Sequence, residues 1–164
     1  MSSLLYAVYG SNLLRERFIY YIEGGKFRGE IYNGCRDKTL PVDSGSMTIP
    51  YRLYFAKHSS SWENKGVAFL DHRLETDENY FVRVRLWQIS EDQFRDIQEQ
   101  EGDWYPDIID LGKQDGLRIK TITGEHIDEK NRPSESYLSV IRQGLMETLG
   151  WDINTSNEYL SKFL

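Results

Sequence analysis

The N-terminal part of the chain passes through three patterns that form different elements. Leu4–Tyr9 is a short run of apolar and aromatic residues, which predicts a largely buried strand. Gly10–Asn12 interrupts this run with residues that tolerate tight turns, and Asn12 is a favourable helix N-cap. A helix is predicted next, because apolar side chains recur four residues apart and a glycine pair follows them. These positions are Leu14, Phe18, Ile22 and Gly24-Gly25.

The turn between this strand and this helix is a candidate binding feature. A strand that passes through a glycine turn into a helix leaves backbone N–H groups without partners at one point. Such a point favours an anion. An ordinary corner between a strand and a helix has the same pattern, so both interpretations stay open on this evidence.

The middle of the chain carries the two-residue alternation that is typical of half-buried strands. The clearest case is Tyr80–Ile89, where Arg83 and Arg85 alternate with apolar residues and are predicted to lie on a solvated sheet face. With the N-terminal run, the segments of this kind make about six strands. The other strand candidates are Ile49–Ala56, Gly66–Leu70, Ile108–Leu111 and Leu117–Thr123.

The C-terminal third of the chain is predicted to be helical. Pro133-Ser134 opens a helix that Gly150 ends, and its apolar stripe has helical spacing. Thr155 and Glu158 are spaced as a capping box, which predicts the start of a last helix. Strands in the middle and helices at both ends predict an α+β fold, whereas a doubly wound sheet requires a β–α alternation that this sequence lacks. The stripe consists of Leu138, Ile141, Leu145 and Leu149.

The segment Gly24–Ser46 is rich in glycine, serine and aspartate. It is long for a connection inside a compact domain, so it is predicted either to line a pocket or to contain a short strand of its own. Cys35 lies within it, and no histidine is its neighbour in sequence. A buried cysteine is therefore favoured over a reactive thiol at this position.

Composition narrows the classes of protein and of partner. A chain of 164 residues with 28% charged and 39% hydrophobic residues predicts one globular domain, residues 1–164. The net charge of −6 argues against a nucleic acid or an anionic membrane as partner, and no apolar run is long enough to cross a bilayer. Because Cys35 is the only cysteine, no disulfide framework is expected and a cytoplasmic location is predicted.

The sequence around the histidines and Ser11 argues against a metal site and against a serine nucleophile. The three histidines, His58, His72 and His126, have no spacing that suits a shared metal ion, so no metal is expected. Ser11 does not stand in a G-x-S-x-G elbow and has no histidine close to it in sequence. Ser11 is therefore predicted to bind a ligand rather than to act as a nucleophile.

Glu101 is the candidate for proton transfer because of its place on a helix. Ser90–Gln93 is a capping box, and the helix that it opens carries Phe94, Ile97 and Glu101 on one face. Glu101 therefore shares the face that is expected to be buried, at the negative end of the helix dipole and close to Glu99. Burial, the dipole and the like charge all raise the pKa of a carboxyl, as a general base requires. A frayed last turn would instead make Glu101 a solvated surface acid.

Two motifs, Tyr9-Gly10-Ser11-Asn12-Leu13 and Glu99-Gln100-Glu101-Gly102, resemble those of the γ-glutamylcyclotransferase family, including its plant avirulence-induced-protein-like members. Tyr9-Gly10-Ser11-Asn12-Leu13 is similar to the family's Y-G-S-N-L signature. Glu99–Gly102 is similar to its E-Q-E-G segment, in which the glutamate before the glycine is the catalytic acid–base. Both motifs stand in the family's order, although Gly24–Ser46 has no counterpart and Tyr105 follows Glu101 at a shorter spacing than in the family. Further similar positions are Gly66-Val67-Ala68, Pro133-Ser134, Tyr137, Ile141 and Gly144.

The resemblance implies a fold and a reaction. The fold is a mixed, mostly antiparallel β-barrel of about six strands flanked by helices. The reaction is the cleavage of a γ-glutamyl amide by its own α-amino group, which releases 5-oxoproline and an amine or amino acid. Glu101 is then the general acid and base, and Tyr105 and Tyr137 join Tyr9 in the pocket wall. The Tyr9–Leu13 loop binds the substrate's carboxylate through the N–H groups of Gly10, Ser11, Asn12 and Leu13. No cofactor is expected, and the expected partner is a small γ-glutamyl molecule.

Three alternatives remain open on the sequence. The substrate could be a γ-glutamylamine, γ-glutamyl-lysine, glutathione or a γ-glutamylated biosynthetic intermediate; the sequence also leaves the number of copies that assemble undefined. A non-catalytic module that binds small molecules on the same fold needs no carboxyl at the end of this helix, so Glu101 argues against it. A hydrolase that uses Cys35 would produce free glutamate instead of 5-oxoproline.

Overall fold

The computed structural model describes residues 2–164, which form nine β-strands and four α-helices. The predicted α+β class is confirmed. The strands are β1 Ser3–Val8, β2 Gly25–Phe27, β3 Glu30–Tyr32, β4 Val42–Ile49, β5 Tyr51–Ser59, β6 Lys65–Leu74, β7 Val82–Ser90, β8 Asp107–Gln114 and β9 Leu117–Thr123. The helices are α1 Arg15–Glu23, α2 Glu91–Glu101, α3 Glu135–Leu149 and α4 Ile153–Ser161. None of these four helices has the length and hydropathy that crossing a bilayer requires.

The N-terminal strand lies in the middle of a five-stranded sheet with the order β4-β7-β1-β9-β8. β1 runs antiparallel to β7 and parallel to β9, and the other neighbours are antiparallel. Both faces of a central strand are covered, which explains why residues 4–8 are all buried and show no alternation. The remaining strands form two hairpins, β2–β3 and β5–β6.

Strand ladders do not close a barrel within residues 2–164, although the mostly antiparallel pairing is as expected. Pro50 divides the predicted strand Ile49–Ala56, because proline has no N–H for a ladder. The β5–β6 hairpin therefore leaves the sheet and contacts β9 through a side chain. The Thr123 hydroxyl accepts from the N–H of Leu70 and donates to the carbonyl of the same residue, each at 2.8 Å.

The helix boundaries test the capping predictions. Ser90 and Gln93 make both hydrogen bonds of the predicted capping box, and α2 ends at Gly102 as expected. The predicted cap at Thr155 is wrong, because the Asp152 carboxylate accepts from the N–H of Thr155 and α4 begins two residues earlier. The predicted N-cap at Asn12 is also wrong, since α1 begins at Arg15 with no side-chain cap. Asn12 is thus free for another contact.

Arg85 contradicts the prediction of a solvated arginine face on β7. Its side chain is buried, and carboxylates from β4 and α3 contact its guanidinium. The guanidinium makes ion pairs with Asp43 of β4, at 2.8 Å, and with Glu147 of α3. Arg83 is only partly buried and lies over the ring of Trp151, 5.4 Å from its centroid.

The segment Gly24–Ser46 contains strands of its own, which is one of the two predicted alternatives. It forms the β2–β3 hairpin and the start of β4. Cys35 is buried within it, as predicted, and its thiol donates to the carbonyl of Tyr21 at 3.2 Å. Burial raises the pKa of the thiol to about 12, so Cys35 stays protonated and is a poor nucleophile near neutral pH.

Gly144 marks the contact between α3 and the turn at residues 10–13. A Cβ at this position would lie 2.5 Å from Cβ of Leu13 and 2.7 Å from the nitrogen of Leu14. We expect Gly144→Ala to lower the free energy of unfolding by about 1–3 kcal/mol, since either the helix or the turn must move. Urea unfolding measures this change. Gln143→Ala, on the exposed side of the same helix, is the control and should change stability by less than about 0.5 kcal/mol. Equal stability of the two variants would contradict the predicted close packing.

Candidate active site

The turn between β1 and α1, residues 10–13 (the site turn), is held in place by hydrogen bonds to two of its carbonyl groups. The Trp87 indole N–H donates to the carbonyl of Asn12 at 3.2 Å, and Arg85 donates to the carbonyl of Leu13 at 2.9 Å. Both donors come from β7, the neighbour of β1 in the sheet. The backbone on the other side of the turn is therefore left available to the cavity.

The N–H groups of the site turn differ in whether the protein itself supplies a hydrogen-bond acceptor for them. Leu13 was predicted to offer its N–H to the substrate, and this part of the prediction is wrong. Its N–H donates to the carbonyl of Gly10 at 3.1 Å, and its side chain is in the core. By contrast, the N–H groups of Ser11 and Asn12 have no hydrogen-bond acceptor within the described residues 2–164. Two of the predicted donors are thus free.

Asn12 connects the site turn to the end of α2. Its side-chain nitrogen donates to Oε1 of Glu101 at 3.2 Å, across 89 residues of sequence. Its side-chain oxygen is buried and has no partner in the part of the chain described. A buried acceptor without a donor is costly, so this oxygen is suited to an N–H group of a ligand. The two segments that carry the sequence motifs therefore meet at one place.

The pKa of Glu101 is raised above its ordinary value, mainly because burial removes water from the carboxylate. The positive charge of Arg17 and hydrogen bonds from Tyr21 and Asn12 oppose this rise. The sequence predicted the effect of burial and also a contribution from Glu99. Glu99 is exposed, and the charge that acts on Glu101 is the cation of Arg17 instead.

A cavity of about 150 Å³ lies between the site turn and Glu101. This is smaller than the roughly 300 Å³ or more of a site for a drug-sized ligand, so it suits a group the size of an amino acid. The cavity is lined by parts of β1, α1, β6 and α3 and by the end of α2. Its lining residues are Tyr6, Val8, Tyr9, Gly10, Ser11, Asn12, Arg17, Tyr21, Ser59, Trp62, Val67, Ala68, Gln100, Glu101, Trp104, Tyr105, Ile122 and Tyr137.

The three predicted wall tyrosines all line this cavity, and their hydroxyl groups bind backbone atoms. Tyr9 donates to the carbonyl of Ile122 at 2.7 Å, and Tyr105 donates to that of Ala68 at 2.8 Å. Tyr137 accepts from the N–H of Ala68 at 3.0 Å. Burial raises the pKa of all three phenols, that of Tyr137 to about 12, so they stay protonated. Their placement is that of the predicted wall, and their roles stay predictions.

Arg17 is the main residue of the cavity that sequence reasoning missed. Its side chain is only 5% exposed, and one guanidinium nitrogen donates to the Tyr21 hydroxyl at 3.2 Å. The other two nitrogens have no partner, and no carboxylate in residues 2–164 lies within 4 Å. On a helix whose apolar stripe is elsewhere, a single arginine is typical of the surface. The tyrosine four residues later was the one available signal of a buried pair.

Gln100 is a second missed residue, and it fixes the position of the last turn of α2. Its side-chain nitrogen donates to the carbonyl of Tyr21 at 2.9 Å, and its side-chain oxygen accepts from Gly34 at 3.2 Å. The turn that carries Glu101 is therefore tied to α1 and does not fray. Among the described residues, no three histidine, cysteine or acidic side chains come together in a way that could hold a metal ion.

Replacement of Glu101 tests the raised pKa through stability. Since folding raises this pKa, the unfolded chain loses the proton at a lower pH than the folded chain, and ionisation favours unfolding. We expect Glu101→Gln to be more stable than wild type at neutral pH. The advantage should shrink as the pH falls to the ordinary pKa of a glutamate. Urea unfolding across this range is the measurement, and the exposed Glu99→Gln is the control. A variant that is less stable at neutral pH would contradict the assignment.

Comparison with known proteins gives one relative by sequence and several by structure. No protein-family model matches the chain. Histone deacetylase 5 of Arabidopsis thaliana is 27% identical over 185 aligned positions, which cover 87% of this chain and 28% of that protein. The chain therefore spans less than a third of the length of this curated relative.

The structural likenesses extend over almost the whole chain. A solved structure of a gamma-glutamyl cyclotransferase has a TM-score of 0.72 and 20% identity, with 98% of this chain and 88% of that chain covered. An uncharacterized protein from Homo sapiens has the same TM-score and coverage at 21% identity. YkqA from Bacillus subtilis has a TM-score of 0.61 and 14% identity, with 99% and 54% covered. The chain described here thus has the fold of a γ-glutamyl cyclotransferase.

Proposed function

We propose that the chain is a γ-glutamylcyclotransferase-like enzyme that converts a γ-glutamyl amide into 5-oxoproline and a free amine or amino acid. The contact between Asn12 and Glu101 carries this proposal. It joins a carboxyl of raised pKa to a turn with free N–H groups, in one cavity of suitable size. The likeness to a gamma-glutamyl cyclotransferase supports the same reaction.

The reaction makes limited demands on the protein because the substrate contains its own nucleophile. The α-amino nitrogen attacks the γ-carbonyl carbon, a five-membered ring forms, and the bond from that carbon to the leaving nitrogen breaks. An α-amino group titrates near pH ~8, so it must lose a proton in order to attack. Holding the substrate in its folded-back conformation supplies much of the rate.

Glu101 is the proposed proton carrier. Its carboxylate takes the proton from the attacking nitrogen and returns it to the departing nitrogen, so no proton is gained or lost overall. The raised pKa suits both steps, because a carboxyl that titrates closer to neutrality holds and releases a proton more readily at neutral pH. The buried oxygen of Asn12, which has no donor among the described residues, accepts a second N–H of the same amine.

The substrate's α-carboxylate is proposed to bind at the site turn. The free N–H groups of Ser11 and Asn12 are the donors there. Gly10 lets the turn pack closely, because a Cβ at this position would lie 3.2 Å from Cβ of Ala68 and 3.3 Å from the Tyr137 hydroxyl. Tyr9, Tyr105 and Tyr137 form the wall. We further propose that residues 1–164 act as one domain on a small γ-glutamyl substrate, without a nucleic acid or a membrane as partner, and in the cytoplasm.

Glu101→Gln tests the catalytic role. We expect kcat for the formation of 5-oxoproline to fall by about 10²–10⁴-fold, because glutamine has the shape of glutamate but transfers no proton. Binding of a γ-glutamyl ligand, measured by calorimetry, should change little. Glu99→Gln is the matched control, since it removes an exposed carboxyl from the same helical turn. It should retain the activity of wild type.

The outcomes separate the alternatives. Wild-type protein that binds γ-glutamyl compounds but releases no 5-oxoproline would be a non-catalytic binding module. Release of free glutamate that stops on alkylation of Cys35 would indicate a thiol hydrolase. Mass spectrometry of the products from a mixture of γ-glutamyl compounds distinguishes the three cases in one experiment.

A further inference from the structure

A second cavity, of about 530 Å³, shares no lining residue with the candidate active site. It lies between β5, β6, the segment 127–133 that precedes α3, and the residues that follow α4 (the β5 groove). Its volume is within the roughly 300–1,000 Å³ that is typical of ligand sites, whereas the active-site cavity is smaller. The β5 groove is thus large enough for a short stretch of peptide.

One edge of β5 borders this groove and is paired over only part of its length. The other edge of β5 pairs with β6. On the groove side, Ala56 forms an antiparallel bridge with Lys130. Continued in the same register, this pairing would bring Pro133 opposite Leu53, but proline has no N–H for a ladder and α3 begins two residues later. Within residues 2–164, no strand pairs with this edge at Leu53.

The backbone of Leu53 is directed to the unpaired edge. Leu53 lies opposite Leu70 in the β5–β6 hairpin, but the N–H and the carbonyl of Leu70 both bond to the Thr123 hydroxyl. Opposite residues of an antiparallel pair turn their backbone groups either toward each other or both outward, so those of Leu53 also point outward. Leu53 is buried and lines the groove, and its N–H and carbonyl have no partner in the part of the chain described. Unpaired backbone groups away from water are unfavourable, so this edge is suited to a partner strand.

The rim of the β5 groove is positively charged, although the chain as a whole has a net charge of −6. Two of its arginines have acidic neighbours: Arg73 contacts Asp71 at 2.9 Å, and Arg52 lies 3.7 Å from Glu75. Three further cations make no ion pair with any of residues 2–164, and the groove is therefore complementary to negative charge. These cations come from two separate segments and are Lys130, Arg132 and Lys162.

Exposed apolar side chains also line the groove. Ile127 is 41% exposed, Leu164 is 46% exposed, and Phe163 is partly exposed. A small inorganic anion would use the cations alone. An acidic peptide in an extended conformation uses all three features, because its backbone pairs with a strand edge, its carboxylates meet the cations and its apolar side chains cover the apolar surface.

We propose that the β5 groove binds an extended, acidic peptide segment of another protein, which adds as a short strand to the edge of β5 at Leu53. Its backbone bonds to the N–H and the carbonyl of Leu53, and its carboxylates contact the unpaired cations of the rim. This interaction surface is independent of the proposed function, because the two cavities have no residue in common.

The charge requirement is tested with the peptide acetyl-Glu-Val-Glu-Val-Glu-amide and its counterpart acetyl-Gln-Val-Gln-Val-Gln-amide. We expect wild-type protein to bind the acidic peptide at least about tenfold more tightly than the neutral one, since the neutral one loses three ion pairs with exposed cations. Isothermal titration calorimetry measures both affinities. Equal affinities, or no binding of the acidic peptide, would overturn the inference.

The strand geometry is tested with two N-methylated versions of the acidic peptide, one methylated at both valines and one at the central glutamate. A strand turns alternate N–H groups to its neighbour, so only one of the two versions loses a hydrogen bond to the carbonyl of Leu53. That version should bind about threefold to tenfold more weakly than the parent peptide, and the other should bind like the parent. The unmethylated peptide should also shift the amide NMR resonance of Leu53. Equal affinities of both versions, with an unchanged Leu53 resonance, would contradict strand addition.

The double variant Arg132→Gln, Lys162→Gln locates the binding site. It should bind the acidic peptide about threefold to tenfold more weakly, because two exposed ion pairs are lost. Lys113→Gln is the control, since Lys113 is exposed on β8 outside the groove and its replacement should leave the affinity unchanged. Wild-type affinity in the double variant would place the peptide elsewhere and overturn the inference.

Inorganic tripolyphosphate distinguishes a peptide site from a site for a small anion. If tripolyphosphate binds wild-type protein and loses affinity in the double variant, while the acidic peptide does not bind, the groove takes a small anion and the inference is overturned. Glu101→Gln should bind the acidic peptide like wild type, because Glu101 lines the other cavity. Should the double variant not fold, the methylated peptides decide the outcome on wild-type protein alone.

Discussion

The candidate site depends on how the carbonyl groups of one turn are held. Trp87 and Arg85 of β7 donate to the carbonyls of Asn12 and Leu13, and the N–H groups of Ser11 and Asn12 stay free on the other side. Each donor is in turn fixed by burial, and Arg85 also by its two ion pairs. The sheet therefore positions the turn through side chains of the neighbouring strand. Two N–H groups are thus left available to a ligand without any contribution from a long helix.

Glu101 is at an unfavourable position for a carboxyl, and tertiary contacts stabilise it there. A carboxyl at the C-terminal end of a helix is disfavoured by the helix dipole and by burial, so an unsupported last turn would fray. Gln100 ties this turn to the carbonyl of Tyr21, and Asn12 donates to the carboxylate. Arg17 adds a positive charge that limits the rise of the pKa. Burial therefore raises the pKa of this carboxyl, while Arg17 and Asn12 limit the rise.

Much of this architecture was predictable from local pattern, and the rest depended on tertiary contacts. The α+β class, the capping box at Ser90 and the end of α2 follow from periodicity and from the preferences of single residues. The burial of Arg85 and Arg17 does not, because only the packing of β4, α3 and the β2–β3 hairpin determines what covers them. Asn12 is a residue type that favours helix N-caps, yet its side chain instead donates a hydrogen bond to Glu101, 89 residues away. Local propensity gives way where a distant group forms the better contact.

The way in which β6 is attached affects how the width of the cavity can change, because β6 contributes Val67 and Ala68 to the cavity lining. No strand ladder joins β6 to the five-stranded sheet in the described chain. Instead, the Thr123 hydroxyl of β9 binds the backbone of Leu70. The hydroxyls of Tyr105, which follows α2, and Tyr137 of α3 bind the backbone of Ala68. The distances from β6 to β9, to the segment after α2 and to α3 therefore depend on the lengths of these three side chains. A change at one of these positions alters the width of the cavity while every ladder remains whole. Single substitutions at these positions can therefore change the size of the cavity during evolution without a change in the fold.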